Sequence, residues 1–201
     1  MASRKAYDKS YFDRWYRNAR TRVVERDDVT RKALFAVGAA EYMLGRPVES
    51  VLDVGCGEGA WQPVLSRLRP KASYLGIDPS EYAVRRFGRQ RNLRVGTFDA
   101  LDETEIEGPY DLVVCVGVVN YLTPRELAAG LQTIAAVTAG LAFIEAYASG
   151  DEIVGDTVEW RWRKPAWWRE QFRTAGLTAV GMHCYVPAGI RENTVALERA
   201  E

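Results

Sequence analysis

The sequence predicts an α/β fold, a three-layer αβα sandwich in which helices cover both faces of a seven-stranded, mostly parallel sheet. Two observations lead to this prediction. After two helical segments, short apolar runs alternate with segments of helical periodicity, which is the pattern of parallel strands joined by crossover helices. The chain then closes with two apolar runs separated by a short turn, so the last two strands must be antiparallel.

Helical periodicity predicts two helices ahead of the first strand, at about 5–20 and 29–44, and the second ends at Gly45 before Pro47. Thr123, Pro124 and Glu126 give the helix after the fourth strand a capping box. The strands are expected at 48–54, 73–77, 92–97, 111–116, 141–147, 177–186 and 194–198, and the later helices at 60–68, 79–88, 124–137 and 165–175. The last two strands are expected to meet at a turn over 187–189. We divide the chain into an N-terminal helical cap, 1–46, and an α/β domain that is one structural unit, 47–201.

Composition narrows the classes of function. The chain has 201 residues, 47% of them apolar, and its 27 basic and 27 acidic residues balance, so total charge gives no reason to expect a polyanionic partner. Three cysteines far apart and a single histidine offer neither a disulfide framework nor a zinc site, and we expect no metal. Because the chain has no run of eighteen apolar residues and no apolar N-terminal core, we expect a cytoplasmic protein without a membrane partner, either a monomer or a homodimer.

A glycine loop follows the first predicted strand, and three aspartates stand at or near strand ends around it. Gly55 and Gly57 allow a tight turn and a close approach of ligand to backbone. Asp53 lies inside an otherwise apolar strand, where a carboxylate would repel a pyrophosphate and attract a cation. Asp78 follows the second strand and is placed to accept hydrogen bonds from ribose hydroxyls, and Asp99 follows the third and is placed to accept from an adenine amine. This set predicts a cationic adenosyl ligand and disfavours a dinucleotide oxidoreductase.

The run from Val51 to Gly59 resembles the first motif of the class I, Rossmann-like S-adenosylmethionine-dependent methyltransferases, and the resemblance extends over 47–198. It implies the strand order 3-2-1-4-5-7-6, S-adenosyl-L-methionine as cofactor and S-adenosyl-L-homocysteine as product. The predicted cofactor-binding residues are Tyr11, Arg31, Asp53, Gly55, Cys56, Gly57, Trp61, Asp78, Pro79, Asp99, Ala100 and Val116.

The sequence predicts the methyl acceptor less specifically than it predicts the cofactor. The segment 118–121 lacks the Asn/Asp-Pro-Pro-aromatic motif associated with methylation of amino groups on bases, so nucleic acid is disfavoured and a small molecule, methylated on oxygen or nitrogen, is favoured. Two segments rich in aromatic residues, one in the first helix and one after the fifth strand, correspond to the regions that cover the active site in small-molecule members of the family. The predicted acceptor contacts are Tyr7, Tyr16, Tyr147, Trp160 and Trp167, although aromatic residues on such elements can equally be core.

Methyl transfer requires no fixed catalytic motif, because the sulfonium already activates the methyl group and the protein mainly aligns the nucleophile. The candidates for catalysis are Asn120, Tyr121, Glu145, Tyr147 and His183, although the position of His183 on an alternating strand favours a structural role for that residue. Two alternatives to a small-molecule enzyme stay open. One is an rRNA or tRNA methyltransferase that uses the basic N-terminus and the arginine row over 85–94 as phosphate contacts. The other is a non-catalytic subunit that binds S-adenosylmethionine.

Overall fold

The computed structural model describes residues 5–199, in which a seven-stranded sheet lies between two layers of helices. The strands are β1 (Ser50–Val54), β2 (Ser73–Asp78), β3 (Leu93–Val95), β4 (Tyr110–Cys115), β5 (Thr138–Ile144), β6 (Leu177–Gly181) and β7 (Cys184–Pro187). The helices are α1 (Lys9–Phe12), α2 (Arg26–Leu44), α3 (Gln62–Leu68), α4 (Glu81–Arg91), α5 (Pro124–Val137), α6 (Pro165–Thr174) and α7 (Ala188–Arg191).

The strand order across the sheet is β3-β2-β1-β4-β5-β7-β6, which confirms the order implied by the resemblance. Strands β1 to β5 pair in parallel, and β7 runs antiparallel to both β5 and β6. The parallel register aligns Val54 with Ile77 and Asp78 with Val95, so β1, β2 and β3 end along one edge of the sheet. In open sheets of this kind, ligands bind beyond the carboxyl ends of the strands.

Two apolar cores hold the helices on the sheet, one on each face. Because strand side chains alternate, Val51 faces the core under α2, α3 and α4, whereas Leu52 faces the core under α5 and α6. Helix α2 contributes a stripe of small residues, including Ala33 and Ala36, to the first core, which lets its backbone approach the sheet closely. The central strands are therefore apolar on both faces, as expected of a buried parallel sheet.

The N-cap residues determine where helices α4 and α5 begin. At α5 the predicted capping box is present: the Thr123 amide donates to the Glu126 carboxylate at 2.7 Å, and the Glu126 amide donates to the Thr123 hydroxyl at 3.3 Å. Helix α4 begins later than predicted, at Glu81, because Ser80 is its N-cap and accepts from the Ala83 amide at 3.1 Å. Pro79 therefore belongs to the loop that leaves β2 rather than to the helix.

The predicted position of the closing strands is wrong, although their antiparallel pairing is confirmed. Strands β6 and β7 both lie within 177–187 and are joined at Met182 and His183, whose φ angles are +49° and +63°. Two consecutive residues of positive φ form the tight turn that suits a hairpin, but neither residue is the glycine or asparagine that normally signals it. The segment predicted as the last strand, 194–198, contains a 3₁₀ turn instead.

The single helix predicted over 5–20 is shorter and irregular. Helix α1 starts at the N-cap Asp8, continues into a π-helical turn over 13–17 and ends at Asn18, and α2 begins only at Arg26. The division into a cap and a domain at residue 46 stays a prediction. Helix α2 itself packs in the apolar core that it shares with α3 and α4 on one face of the sheet. Residues 1–4 and 200–201 of those two predicted units lie outside the described residues. No helix within 5–199 is long and apolar enough to cross a membrane.

Candidate functional site

A cavity of about 790 Å³ opens at the carboxyl ends of β1, β2 and β4. Its volume lies in the range of about 300–1,000 Å³ that is usual for sites of small ligands and cofactors. The cavity brings together these residues predicted for the cofactor, the acceptor and catalysis: Tyr7, Tyr11, Tyr16, Gly55, Gly57, Asp78, Pro79, Asp99, Val116 and Tyr121.

The glycine loop forms one wall of this cavity. Gly55 and Gly57 have φ angles of +72° and +56°, a conformation that side chains rarely adopt. A Cβ on Gly57 would lie 2.3 Å from the hydroxyl oxygen of Tyr16, and a Cβ on Gly55 would lie 2.2 Å from Cγ2 of Val118. Both positions therefore require glycine, as the sequence predicts.

Asp78 ends β2 and is buried against the loop. Its carboxylate accepts from the Gly57 amide at 2.7 Å and from the Ser80 amide at 2.9 Å. Burial raises the pKa of Asp78, and the two amides offset part of that rise because they stabilise the charged form. Asp78 thus fixes the loop as well as lining the cavity.

Asp99 and its neighbour differ in their positions. Asp99 is exposed at the cavity edge, in the 3₁₀ segment Phe98–Glu103. Ala100 does not line the cavity, and its φ and ψ of −124° and 35° interrupt that segment.

A second cavity of about 80 Å³ lies behind the glycine loop, and it contains Asp53, Cys56 and Trp61. Tyr16, Gly55 and Val116 line both cavities and separate them. Three of the residues predicted to bind the cofactor, Asp53, Cys56 and Trp61, therefore line only the smaller cavity.

Asp53 is buried on the α2 side of the sheet. The Tyr74 hydroxyl donates to its carboxyl group at 2.7 Å. Burial raises the pKa of Asp53 to about 7, an effect that the Tyr74 hydrogen bond reduces and the charge of Asp78 increases. Asp53 therefore titrates near neutral pH, where a nearby cation would favour its ionised form.

Lys32 is a functional candidate that the sequence reasoning missed. Its ammonium lines the smaller cavity, 2.8 Å from Glu145, the residue that follows β5, and 3.0 Å from Asp28. Burial lowers the pKa of Lys32, but the two carboxylates outweigh burial and raise it. Glu145 also accepts from the Tyr147 hydroxyl at 3.4 Å, and burial followed by the Glu145 charge raises the pKa of Tyr147. The spacing of Asp28 and Lys32 on one helix face was the only available signal.

Four of the five catalytic candidates lie outside both cavities, namely Asn120, Glu145, Tyr147 and His183, so Tyr147 is not placed as an acceptor contact in the larger cavity either. Asn120 is buried and ties together the segments after β4 and β5: its side-chain amide donates to the Tyr147 carbonyl at 2.7 Å and accepts from the Tyr147 amide at 3.0 Å. His183 lies in the hairpin turn with its ring 6.2 Å from that of Phe143 and 5.7 Å from that of Tyr147. The hydrogen bonds of Asn120 and the ring contacts of His183 are structural, so neither of these two residues is placed as a catalytic base.

Three further predicted residues are also outside the cavities. Arg31 is exposed on α2 and pairs with Asp28 at 3.7 Å. Trp167 packs edge-on against Trp168 on α6, where that helix covers the sheet. Trp160 does not line the larger cavity, but its ring lies 5.1 Å from that of Tyr121, which does. Trp160 therefore supports the wall rather than forming it.

Three of the five arginines in the row over 85–94, which lies on α4 and β3, donate hydrogen bonds within the chain. Arg86 donates to the Tyr82 hydroxyl at 3.0 Å, Arg91 to the Glu58 carbonyl at 2.6 Å and Arg94 to the Glu105 carbonyl at 2.7 Å. These arginines have structural partners, which weakens the case for a phosphate-binding row.

Comparisons with known proteins agree with the fold and the cavity. A family model described as a methyltransferase domain matches residues 20–180. Trans-aconitate 2-methyltransferase from Deinococcus radiodurans is 36% identical over 87 residues, which are 41% of this chain and 33% of that protein. The alignments with curated relatives span about a fifth to a third of those proteins' lengths.

Solved structures share the architecture at low sequence identity. The magnesium protoporphyrin IX methyltransferase of Synechocystis, solved with bound S-adenosylhomocysteine, superposes with a TM-score of 0.60 at 18% identity, over 89% of this chain and 92% of that one. A methyltransferase from Archaeoglobus fulgidus gives a TM-score of 0.61 at 14% identity, over 84% and 73%. Since the family model covers most of the chain, the protein belongs to the methyltransferase-domain family, which confirms the resemblance to class I S-adenosylmethionine-dependent methyltransferases.

Proposed function

We propose that the protein transfers a methyl group from S-adenosylmethionine to oxygen or nitrogen of a small-molecule acceptor. The observation that carries this proposal is the 790 Å³ cavity at the strand ends, which combines the glycine loop with Asp78 and Asp99. S-adenosylmethionine supplies the activated methyl group. The chain's own residues bind it, align the acceptor and exclude water.

In this proposal the residues near the strand ends bind different parts of the cofactor. Asp78 accepts from the ribose hydroxyls, and Asp99 at the cavity edge accepts from the adenine amine. The loop at Gly55 and Gly57 receives the methionine portion. Asp53 in the smaller cavity favours a cationic group, because its carboxyl group is buried without a basic partner in contact among the described residues.

A small acceptor is favoured because α1 and the turn after it form one side of the cavity and partly close the space at the strand ends. Tyr7, Tyr11 and Tyr16 line that space from above the glycine loop. Some relatives act on small molecules according to their names, trans-aconitate for one and an amino pentose for another. The acceptor of this chain, its oligomeric state and its cytoplasmic location stay predictions.

Calorimetric titration with S-adenosylhomocysteine and with NADH tests the proposal. We expect the first to bind and the second not to bind. Asp78→Ala should weaken S-adenosylhomocysteine binding at least tenfold, since the variant loses the ribose contacts and frees the loop; a tenfold loss corresponds to about 1.4 kcal/mol.

A matched pair of variants controls for changes in surface charge. Asp99 and Asp102 are both exposed in the same 3₁₀ segment, but only Asp99 lines the cavity. Asp99→Ala should weaken binding and Asp102→Ala should not. Binding of NADH in place of S-adenosylhomocysteine, or equal affinities in all these variants, would refute the cofactor site.

A further inference from the structure

An aromatic cage in the larger cavity surrounds a buried ammonium group of the chain itself. The Nζ atom of Lys5 lies 4.0 Å from the ring centre of Tyr121, 5.4 Å from that of Tyr11 and 5.6 Å from that of Tyr7. The same atom forms an ion pair with the carboxylate of Asp156. Ring faces within about 6 Å attract a cation, and the attraction grows when the cation is desolvated.

Both charged groups of this cage are withdrawn from solvent. The exposed fractions of the Lys5 and Asp156 side chains are 10% and 7%, unlike those of the surface pair Lys9 and Asp13, which are 67% and 41%. Burying an ammonium is costly unless rings and a counter-charge replace its water. The cage provides both, so its composition suits a cation specifically.

The cage is fixed in place and borders the proposed cofactor site. The Tyr121 hydroxyl donates to the backbone carbonyl of Asp156, which holds one ring beside the carboxylate. The Ser80 hydroxyl donates to the Tyr7 carbonyl at 2.5 Å, which ties the cage to the residues that follow Asp78. Lys5 and the three tyrosines all line the larger cavity.

The contacts that hold the Lys5 side chain are those with the rings and the carboxylate of this cage. Residues 5–7 belong to no helix or strand, and α1 begins at Lys9. The Lys5 side chain can therefore leave without unfolding an element, whereas Tyr11 lies on α1 and Tyr121 in the 3₁₀ turn Val119–Tyr121.

We propose that the cage is the subsite for an alkylammonium group of the acceptor, and that Lys5 occupies it as a tethered stand-in until the acceptor displaces it. This inference rests on the proposed function and names the acceptor class, a small metabolite that carries an aliphatic ammonium group. The cage recognises that charge and leaves open which atom receives the methyl group. The competition also lowers the apparent affinity for the acceptor, since only the fraction of molecules with an empty cage can bind.

Titration with choline and with its uncharged isostere 3,3-dimethylbutan-1-ol tests the inference. Lys5→Met removes the competing charge and keeps most of the side-chain length, so choline should bind at least about tenfold more tightly than to the unmodified protein. The alcohol should gain nothing. Lys9→Met, the same substitution at the exposed lysine, should leave choline binding unchanged.

Second substitutions in the Lys5→Met background locate the site. Adding Asp156→Asn or Tyr121→Leu should remove the gain in choline affinity. Lys5→Gln repeats the test with a neutral polar residue if the Met variant unfolds. Choline binding that does not improve in either Lys5 variant, or alcohol binding that improves equally, would overturn the proposal.

Titration of the same variants with S-adenosylhomocysteine separates the two proposals. If the Lys5 variants do not bind choline better than its uncharged isostere but S-adenosylhomocysteine still binds, only the proposed ammonium subsite is contradicted. Absence of S-adenosylhomocysteine binding in the unmodified protein contradicts the proposed function, whatever choline does.

Discussion

At the scale of single residues, the buried Asp53 and the half-buried Lys32 both line the smaller cavity and differ in how their charge is compensated. Lys32 has two carboxylates within 3.0 Å, whereas Asp53 has one hydroxyl donor, from Tyr74. Their pKa values consequently both rise, through ion pairing for the lysine and through burial for the aspartate. The first shift favours the charged form of its group and the second disfavours it.

The shift at Asp53 predicts a specific dependence of stability on pH. Its pKa is about 7 in the folded chain against an ordinary value of 3.8. Between these values the folded chain keeps a proton that the unfolded chain has lost, so the free energy of unfolding falls as pH rises from about 4 to about 7 and levels off above.

Asp53→Asn should therefore gain stability relative to the unmodified protein as pH rises, by about 1 kcal/mol per pH unit between pH 5 and pH 7. The asparagine keeps an acceptor for the Tyr74 hydroxyl. Urea unfolding of both proteins at pH 5, 6, 7 and 8 measures the difference. A difference that stays constant with pH would show that Asp53 does not titrate in this window.

At the scale of elements, α5 positions the segment that carries Asp99. Gly130 lies on the face of α5 that meets Phe98, and a Cβ on Gly130 would lie 2.1 Å from Cδ1 of Phe98 and 2.2 Å from its carbonyl oxygen. Helical glycine normally costs about 1 kcal/mol relative to alanine. Here the glycine is required because the two backbones approach closely.

Two glycine-to-alanine substitutions test this reasoning. Gly130→Ala should destabilise the protein, by about 1–3 kcal/mol as expected for overpacking, and should weaken S-adenosylhomocysteine binding because Phe98 and Asp99 shift. Gly38→Ala in α2, where nothing lies within 4 Å of the added carbon, should stabilise it by about 0.5–1 kcal/mol. Thermal unfolding and calorimetry of both variants supply the comparison; equal effects would mean that helix propensity alone decides.

Elements could be predicted from the sequence where the signal for them is local, and not where it depends on distant contacts. Elements with local signals, such as α5 with its capping box and β1 with its glycine loop, were predicted close to their bounds. The β6–β7 turn was missed because Met182 and His183 hold positive φ through strand pairing, not through their own preference. Contacts between distant positions, Lys5 with Asp156 and Lys32 with Glu145, leave no local pattern.

At the scale of the whole molecule, two segments far apart in sequence meet over the larger cavity. Residues 5–17 cover it from one side and the loop 145–164 lies against them, joined by the Lys5–Asp156 ion pair. Arg17 in the first segment also pairs with Glu58 of the glycine loop. Closure of the site therefore depends on the contacts that residues 5–17 make with the loop 145–164 and with the glycine loop rather than on pairing within the sheet.

Hydrogen exchange with and without S-adenosylhomocysteine tests this dependence. Because the loop 145–164 contains no helix or strand and 5–17 contains only the one-turn helix α1 and a π-helical turn, their amides should exchange fast in the free protein. Ligand should slow exchange in 5–17, in the glycine loop and in 145–164, and leave the β6–β7 hairpin at the far edge of the sheet unchanged. Protection confined to the glycine loop, with 5–17 unaffected, would mean that the N-terminal segment does not close over the cofactor.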